Sequence, residues 1–230
     1  MTQMQSIIRS VGLPPERHAD RVVAEMLREL ARKRSTIWTT IDQAISTSSD
    51  GCPKAQRKME ERVKRAGAQA TTLYPGKRGR YELVIYDFTG WDCARDAEIT
   101  VGDAIPQTPW IACNVTSIKS YGNGREETDI KSAPYLFITH HALSRTAQRL
   151  GMRTQAHLLT AVHIIWNSAN RFIDSKGGIV ASLDAPRSGW RAPLEARPHV
   201  NASVVLQRHY QRKALVAATV ITEDANGKTA

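Results

Sequence analysis

The hydrophobic period of the chain changes between Gly67 and Tyr81. Before Gly67 apolar residues recur every three or four positions, the spacing of a helix with one buried stripe; after Tyr81 they fall in short runs rich in branched and aromatic residues, the signature of strands. From Ala19 to Lys33, Val22, Val23, Met26, Leu27 and Leu30 predict an amphipathic helix, with Arg21, Arg28, Arg32 and Lys33 on its other positions. A second helix is expected to begin at Ser35 or Thr36 and to carry Ile37, Trp38, Ile41, Ala44 and Ile45. A third, KAQRKMEERVKRAG, has only Met59 and Val63 as apolar anchors and stops at Gly67. Residues 1–72 therefore read as a basic helical region.

Beyond it, YELVIYDF, WIACNVTSIKSY and PYLFI predict strands, and the Asn-Gly pair in YGNGR is a hairpin signal. Two helices are expected next. One is THHALSRTAQRLG; the other starts at Thr154 and places Leu158, Leu159, Val162, Ile165, Trp166 and Ala169 on one arc. GIVASL reads as a strand, and NASVVLQRHYQRKALVAATVIT as two strands joined by the basic turn YQRK. The expected fold class is α+β: a basic helical N-terminal part, then an antiparallel-sheet-containing domain over residues 73–230 with two central helices.

Charge narrows the function classes. The formal net charge is +10, and it is uneven: Lys and Arg against Asp and Glu number 16 and 8 in residues 1–80, 4 and 9 in 81–135, and 12 and 5 in 136–230. Two basic ends flanking an acidic middle favour a phosphate polyanion as partner, because each neutralised phosphate releases counterions. No apolar run approaches membrane-spanning length and the first residues lack a long apolar leader core, so no membrane partner and a cytoplasmic location are expected. Cys52, Cys93 and Cys113 are scattered, without the close pairing of a zinc site or a disulfide framework. Asp87, Asp92, Asp96, Glu98 and Asp103 lack metal-binding spacing, and His157 and His163 lie six residues apart on different helix faces; no metal and no cofactor are expected. Trp38, Trp110 and Trp166 fit apolar patterns, whereas Trp91 and Trp190, beside glycines in polar stretches, are suited to stacking bases.

The stretch FITHHALSRTAQRLGMRT carries the densest chemistry. With Thr139 as N-cap, Leu143, Ala147 and Leu150 fall on one arc, and His141, Ser144, Arg145, Gln148 and Arg149 on the other. A histidine aligned with two arginines is disfavoured by like charge, and a bound phosphate would relieve it. A DNA-reading helix-turn-helix is the competing interpretation, since Ala147 and Gly151 have the spacing of that motif. The helix after Thr154 is too apolar to serve as its probe, with no arginine from Arg153 to Arg171.

His141, Ala142, Leu143, Arg145 and Arg149, followed by the terminal run ALVAATVIT, resemble the metal-independent ribonuclease toxins of the barnase, EndoU, colicin and RelE-like group, over about residues 135–222. The resemblance implies RNA cleavage by attack of the ribose hydroxyl on the adjacent phosphate. His141 would then be a general acid or base, Arg145 and Arg149 would hold the phosphate, Thr219 would orient an oxygen, and His209 would be a second proton carrier. Arg153, Arg208, Arg212 and Lys213 are the accompanying nucleic-acid-binding candidates. RNA ahead of DNA, and an acidic inhibitor protein, are the partners implied. A non-enzymatic DNA- or RNA-binding accessory protein and a protein-interaction module are the alternatives. The N-terminal helices, the acidic middle and the connection at residues 176–198 lie outside the toxin pattern.

Overall fold

The computed structural model is a mixed α+β fold, and it describes residues 21, 23–30, 36, 38–40, 43, 53–75, 80–91, 110–120, 128–150, 154–184, 186, 188–194, 202–209 and 212–222. Its strands are β1 (Ala70–Pro75), β2 (Tyr81–Trp91), β3 (Trp110–Ser120), β4 (Thr128–Ile138), β5 (Trp190–Pro193), β6 (Ala202–Arg208) and β7 (Leu215–Thr222). They form a seven-stranded sheet in the order β1-β2-β3-β4-β7-β6-β5. The labelled helices are α1 (Pro53–Arg65), α2 (His140–Arg149), α3 (Gln155–Ser175) and α4 (Ile179–Ser182). Residues 23–30 are also helical and bury Val23, Met26, Leu27 and Leu30, the stripe their spacing predicts. Two compact units emerge, one of residues 28–90 with 112–135, the other of residues 1–27, 91–111 and 136–230.

In the first unit, α1 lies on β1 and β2. Its two apolar anchors, Met59 and Val63, are buried with Tyr81, Leu83, Ile85 and Ile118, so one short stripe fixes a helix most of whose other positions are charged. Gly67, at φ 109°, ends the helix, and the Ala68 amide closes the turn on the Val63 carbonyl at 3.3 Å. The chain then enters β1, antiparallel to β2 with Ala70 opposite Tyr86 and Pro75 opposite Tyr81. β1 carries residues on both sides of the expected boundary at residue 72.

In the second unit, β5 pairs antiparallel with β6 and β6 with β7. β4, however, is parallel to β7 through Leu136–Ile138 and Leu215–Ala217, so the sheet is mixed rather than purely antiparallel. Parallel neighbours need a long crossover, and α2, α3 and α4 lie within that connection. GIVASL is another correction: Ile179–Ser182 form a short helix. Gly177 and Gly178, at φ 82° and 114°, end α3, and the Ser182 amide and hydroxyl both donate to the Gly178 carbonyl, closing a helical turn where a strand was expected. Among the described residues no helix is long and apolar enough to cross a membrane.

Candidate functional site

The site best defined by the sequence begins where β4 becomes α2. Thr139 is the N-cap: its hydroxyl accepts from the Ala142 amide at 3.0 Å. The same hydroxyl donates to the Ala218 carbonyl at 2.9 Å, and the Thr139 amide donates to the Ala217 carbonyl at 3.2 Å. Ala218 is an extra residue in β7, because Val205 faces Thr219 while Leu206 faces Ala217. The bulge removes Ala218 from the ladder with β6, and Thr139 takes its carbonyl. At the other end of α2, an Arg149 guanidinium nitrogen donates to the Thr222 hydroxyl. Ten helical residues rise about 15 Å, and the four strand steps from Ala218 to Thr222 cover about 13 Å, so the helix is tied alongside β7 at both ends.

This anchoring changes the character of the stripe. His141 is exposed and Arg145 and Arg149 are half-buried, but Ser144 and Gln148, expected to share their outer arc, are each 8% exposed. α2 packs on both α3 and β7, so more of its circumference is covered than the hydropathy pattern implies. Arg145 donates to the Gln148 side chain at 3.3 Å. Burial, and then the neighbouring Arg145 charge, hold the Arg149 guanidinium below its ordinary pKa. Arg145 and Arg149 are therefore brought together as the sequence suggests.

The remaining predicted residues go elsewhere. His209 is 2% exposed, with its ring 5.1 Å from that of Phe137. Its Nδ1 accepts the Arg212 amide at 3.2 Å, while its own amide donates to the Ala214 carbonyl at 2.9 Å. In this position the imidazole organises the turn between β6 and β7. Thr219 faces Val205 across the ladder, whereas Thr222, Val220 and Ala217 face Ala202, Val204 and Leu206. Direct partners share a sheet face, so Thr219 points away from the buried face, and Thr222 is the hydroxyl that meets Arg149. Arg208 and Lys213 are exposed and Arg212 half-buried around the same turn; Arg153 lies outside the described residues.

Three further arrangements come into view. α1 presents Lys54, Arg57, Lys58, Arg62, Lys64 and Arg65 at its surface. Glu60 and Glu61, its two carboxylates, pair within the helix with Lys64 at 2.8 Å and Arg65 at 3.8 Å. Glu60 also accepts from the Thr71 hydroxyl at 2.9 Å, and the Lys64 hydrogen bond, ahead of Thr71 and the nearby charges, lowers its pKa against a smaller opposing effect of burial. The second arrangement is buried and polar: Asn114 donates to Asp87 at 3.4 Å and to Thr89 at 3.1 Å. Asp87 and Thr89 continue the face that Leu83 and Ile85 line with apolar side chains, a polar extension of the core that alternation alone does not reveal. The third is aromatic, with Trp190, Phe172 and Lys176 in mutual contact.

Of the acidic middle, Asp92, Asp96, Glu98 and Asp103 lie outside the described residues; among those described, no three His, Cys, Asp or Glu side chains gather as a metal site. His157 is exposed beside the Thr154 cap and donates its amide to the Thr154 hydroxyl at 3.3 Å. Comparison with protein-family profiles, characterised proteins and solved structures returns no match for this chain.

Proposed function

We propose that the protein binds nucleic acid through the phosphate backbone. The observation that carries this reading is the outer face of α1. Lys54, Lys58 and Arg62 recur at four-residue intervals and are exposed, with Arg57 and Arg65 beside them. Six basic residues against two acidic ones leave the helix with a surplus of four positive charges. Glu60 and Glu61 pair within the helix with Lys64 and Arg65. A basic row held on a sheet by a narrow apolar stripe is suited to tracking a polyanion. Replacing Lys54, Lys58 and Arg62 together by alanine weakens RNA binding at low salt by at least about tenfold, as measured by fluorescence anisotropy. Undiminished binding by the triple variant contradicts this assignment.

A second reading, metal-independent RNA cleavage, is favoured by one observation: the exposed His141 lies on the same short helix as the mutually repelling Arg145 and Arg149. Here His141 moves the proton and the arginines hold the phosphate. The buried His209 and the outward Thr219 have no direct part in this version. Incubation with RNA in EDTA tests it. Cleavage by the wild type that is lost in His141→Ala supports the reading, and intact RNA removes it.

A further inference from the structure

Trp190 opens the four-residue edge strand β5, and its ring is held from several sides. The indole N–H donates to the Ser182 carbonyl at 3.2 Å, fixing the ring against α4. Phe172, from α3, lies 5.6 Å away at 45° between ring planes. Gly189, immediately before, has φ 78°, and a Cβ there would stand 2.9 Å from the Leu206 carbonyl oxygen, so the path that delivers Trp190 strongly favours glycine.

One positive charge lies over the platform and another stands on the same face of the neighbouring strand. The Lys176 ammonium sits 4.3 Å from the Trp190 ring centre and 5.5 Å from that of Phe172. Trp190 pairs with Leu206, and Arg208, two residues further along β6, shares the Leu206 face about 7 Å away. Arg208 and Lys176 are both exposed, and a Cβ at Gly177 or Gly178 would meet nothing within 4 Å, so the turn after Lys176 borders open space.

We infer that Trp190, flanked by Phe172, is a stacking site for one unpaired base of a single-stranded nucleic acid, with Lys176 and Arg208 holding the adjoining phosphates. The inference rests on the nucleic-acid reading above. An indole fixed by a hydrogen bond pays little to receive a base, and stacking of a base on an aromatic ring outweighs an exposed cation–π contact. The Lys176 ammonium is therefore a placeholder: the base displaces it from the ring, and the flexible lysine moves to a neighbouring phosphate. A cation over the ring and a second on the same face of the neighbouring strand suit a base and its phosphate together, which a purely apolar ligand would not exploit. A duplex keeps its bases stacked internally and cannot use the site.

The test is titration of the whole protein with a short oligoadenylate RNA, single-stranded or annealed to its complement. Binding is followed by anisotropy of a labelled strand, and tryptophan emission is compared between wild type and Trp190→Phe. The expected result is quenching by the single strand that disappears in Trp190→Phe, at least about fivefold weaker single-strand binding by Trp190→Ala, and unchanged duplex binding. Arg208→Ala weakens single-strand binding with the Trp190 emission of the free protein intact. Because the quenching comparison uses a conservative variant, it decides the matter even if Trp190→Ala fails to fold. Single-strand binding without Trp190-dependent quenching overturns the stacking site and leaves phosphate binding standing. Absence of binding to either RNA form at low salt overturns both.

Discussion

The Thr139 hydroxyl donates to the carbonyl of Ala218, the one residue that the bulge in β7 leaves without a partner in β6. The same oxygen accepts from the Ala142 amide, so a single side chain starts α2 and satisfies the strand irregularity beside it. Thr139→Ala leaves both the carbonyl and the first helical turn unserved. It lowers unfolding free energy by about 1–3 kcal/mol in urea denaturation, while Thr139→Ser keeps most of the stability. Equal losses in the two variants would show that the methyl group, and not the hydroxyl, matters here.

Gly189 sits at φ 78° against the Leu206 carbonyl. Alanine there meets both a backbone conformation it disfavours and a backbone atom that cannot move aside cheaply. Gly189→Ala lowers stability by about 1–3 kcal/mol, whereas Gly177→Ala, which meets only the conformational penalty, costs about 1 kcal/mol. Thermal unfolding of the two variants side by side checks the order.

Burial lowers the pKa of His163, whose ring lies 6.3 Å from that of Trp166. A histidine depressed in the folded state binds more protons when unfolded, so its contribution is fully present above the ordinary value of 6.5 and declines as pH falls through the lowered folded value. Stability measured from pH 7.5 down to about 5 decreases less steeply in His163→Gln than in the wild type. Parallel curves would contradict this assignment.

Cys113 is fully buried, and burial, reinforced by the Asp87 charge, pushes its thiol well above the usual range. Iodoacetamide at neutral pH leaves Cys113 unmodified in the native protein and alkylates it in denaturant, as peptide mapping by mass spectrometry would reveal. Rapid native labelling of the Cys113 peptide contradicts that burial.

Much of this fold was legible because local rules and packing agree. The caps at Thr139 and Thr154, the stop at Gly67 and the strand runs from Tyr81, Trp110, Ala202 and Leu215 all carry their own short-range signals. The site was less legible for a specific reason. Strict alternation from Leu215 and Ala217 would put Thr219 on the buried face, but the extra residue at Ala218 shifts the phase and gives that place to Val220 and Thr222. Nothing in ALVAATVIT announces the shift. Ser144 and Gln148 misled similarly: a polar residue reads as outward from hydropathy, yet a helix packed on two neighbours buries it. His209 is a histidine used for shape and a turn-closing hydrogen bond, a role that composition cannot separate from proton transfer.

The most direct measurement is the salt dependence of single-stranded RNA affinity for the wild type and for the Lys54→Ala, Lys58→Ala, Arg62→Ala triple variant. If these three side chains each neutralise a phosphate, the slope of log affinity against log salt is shallower in the variant by about 2. The same slope in both proteins, or no measurable wild-type binding at low salt, would contradict the account.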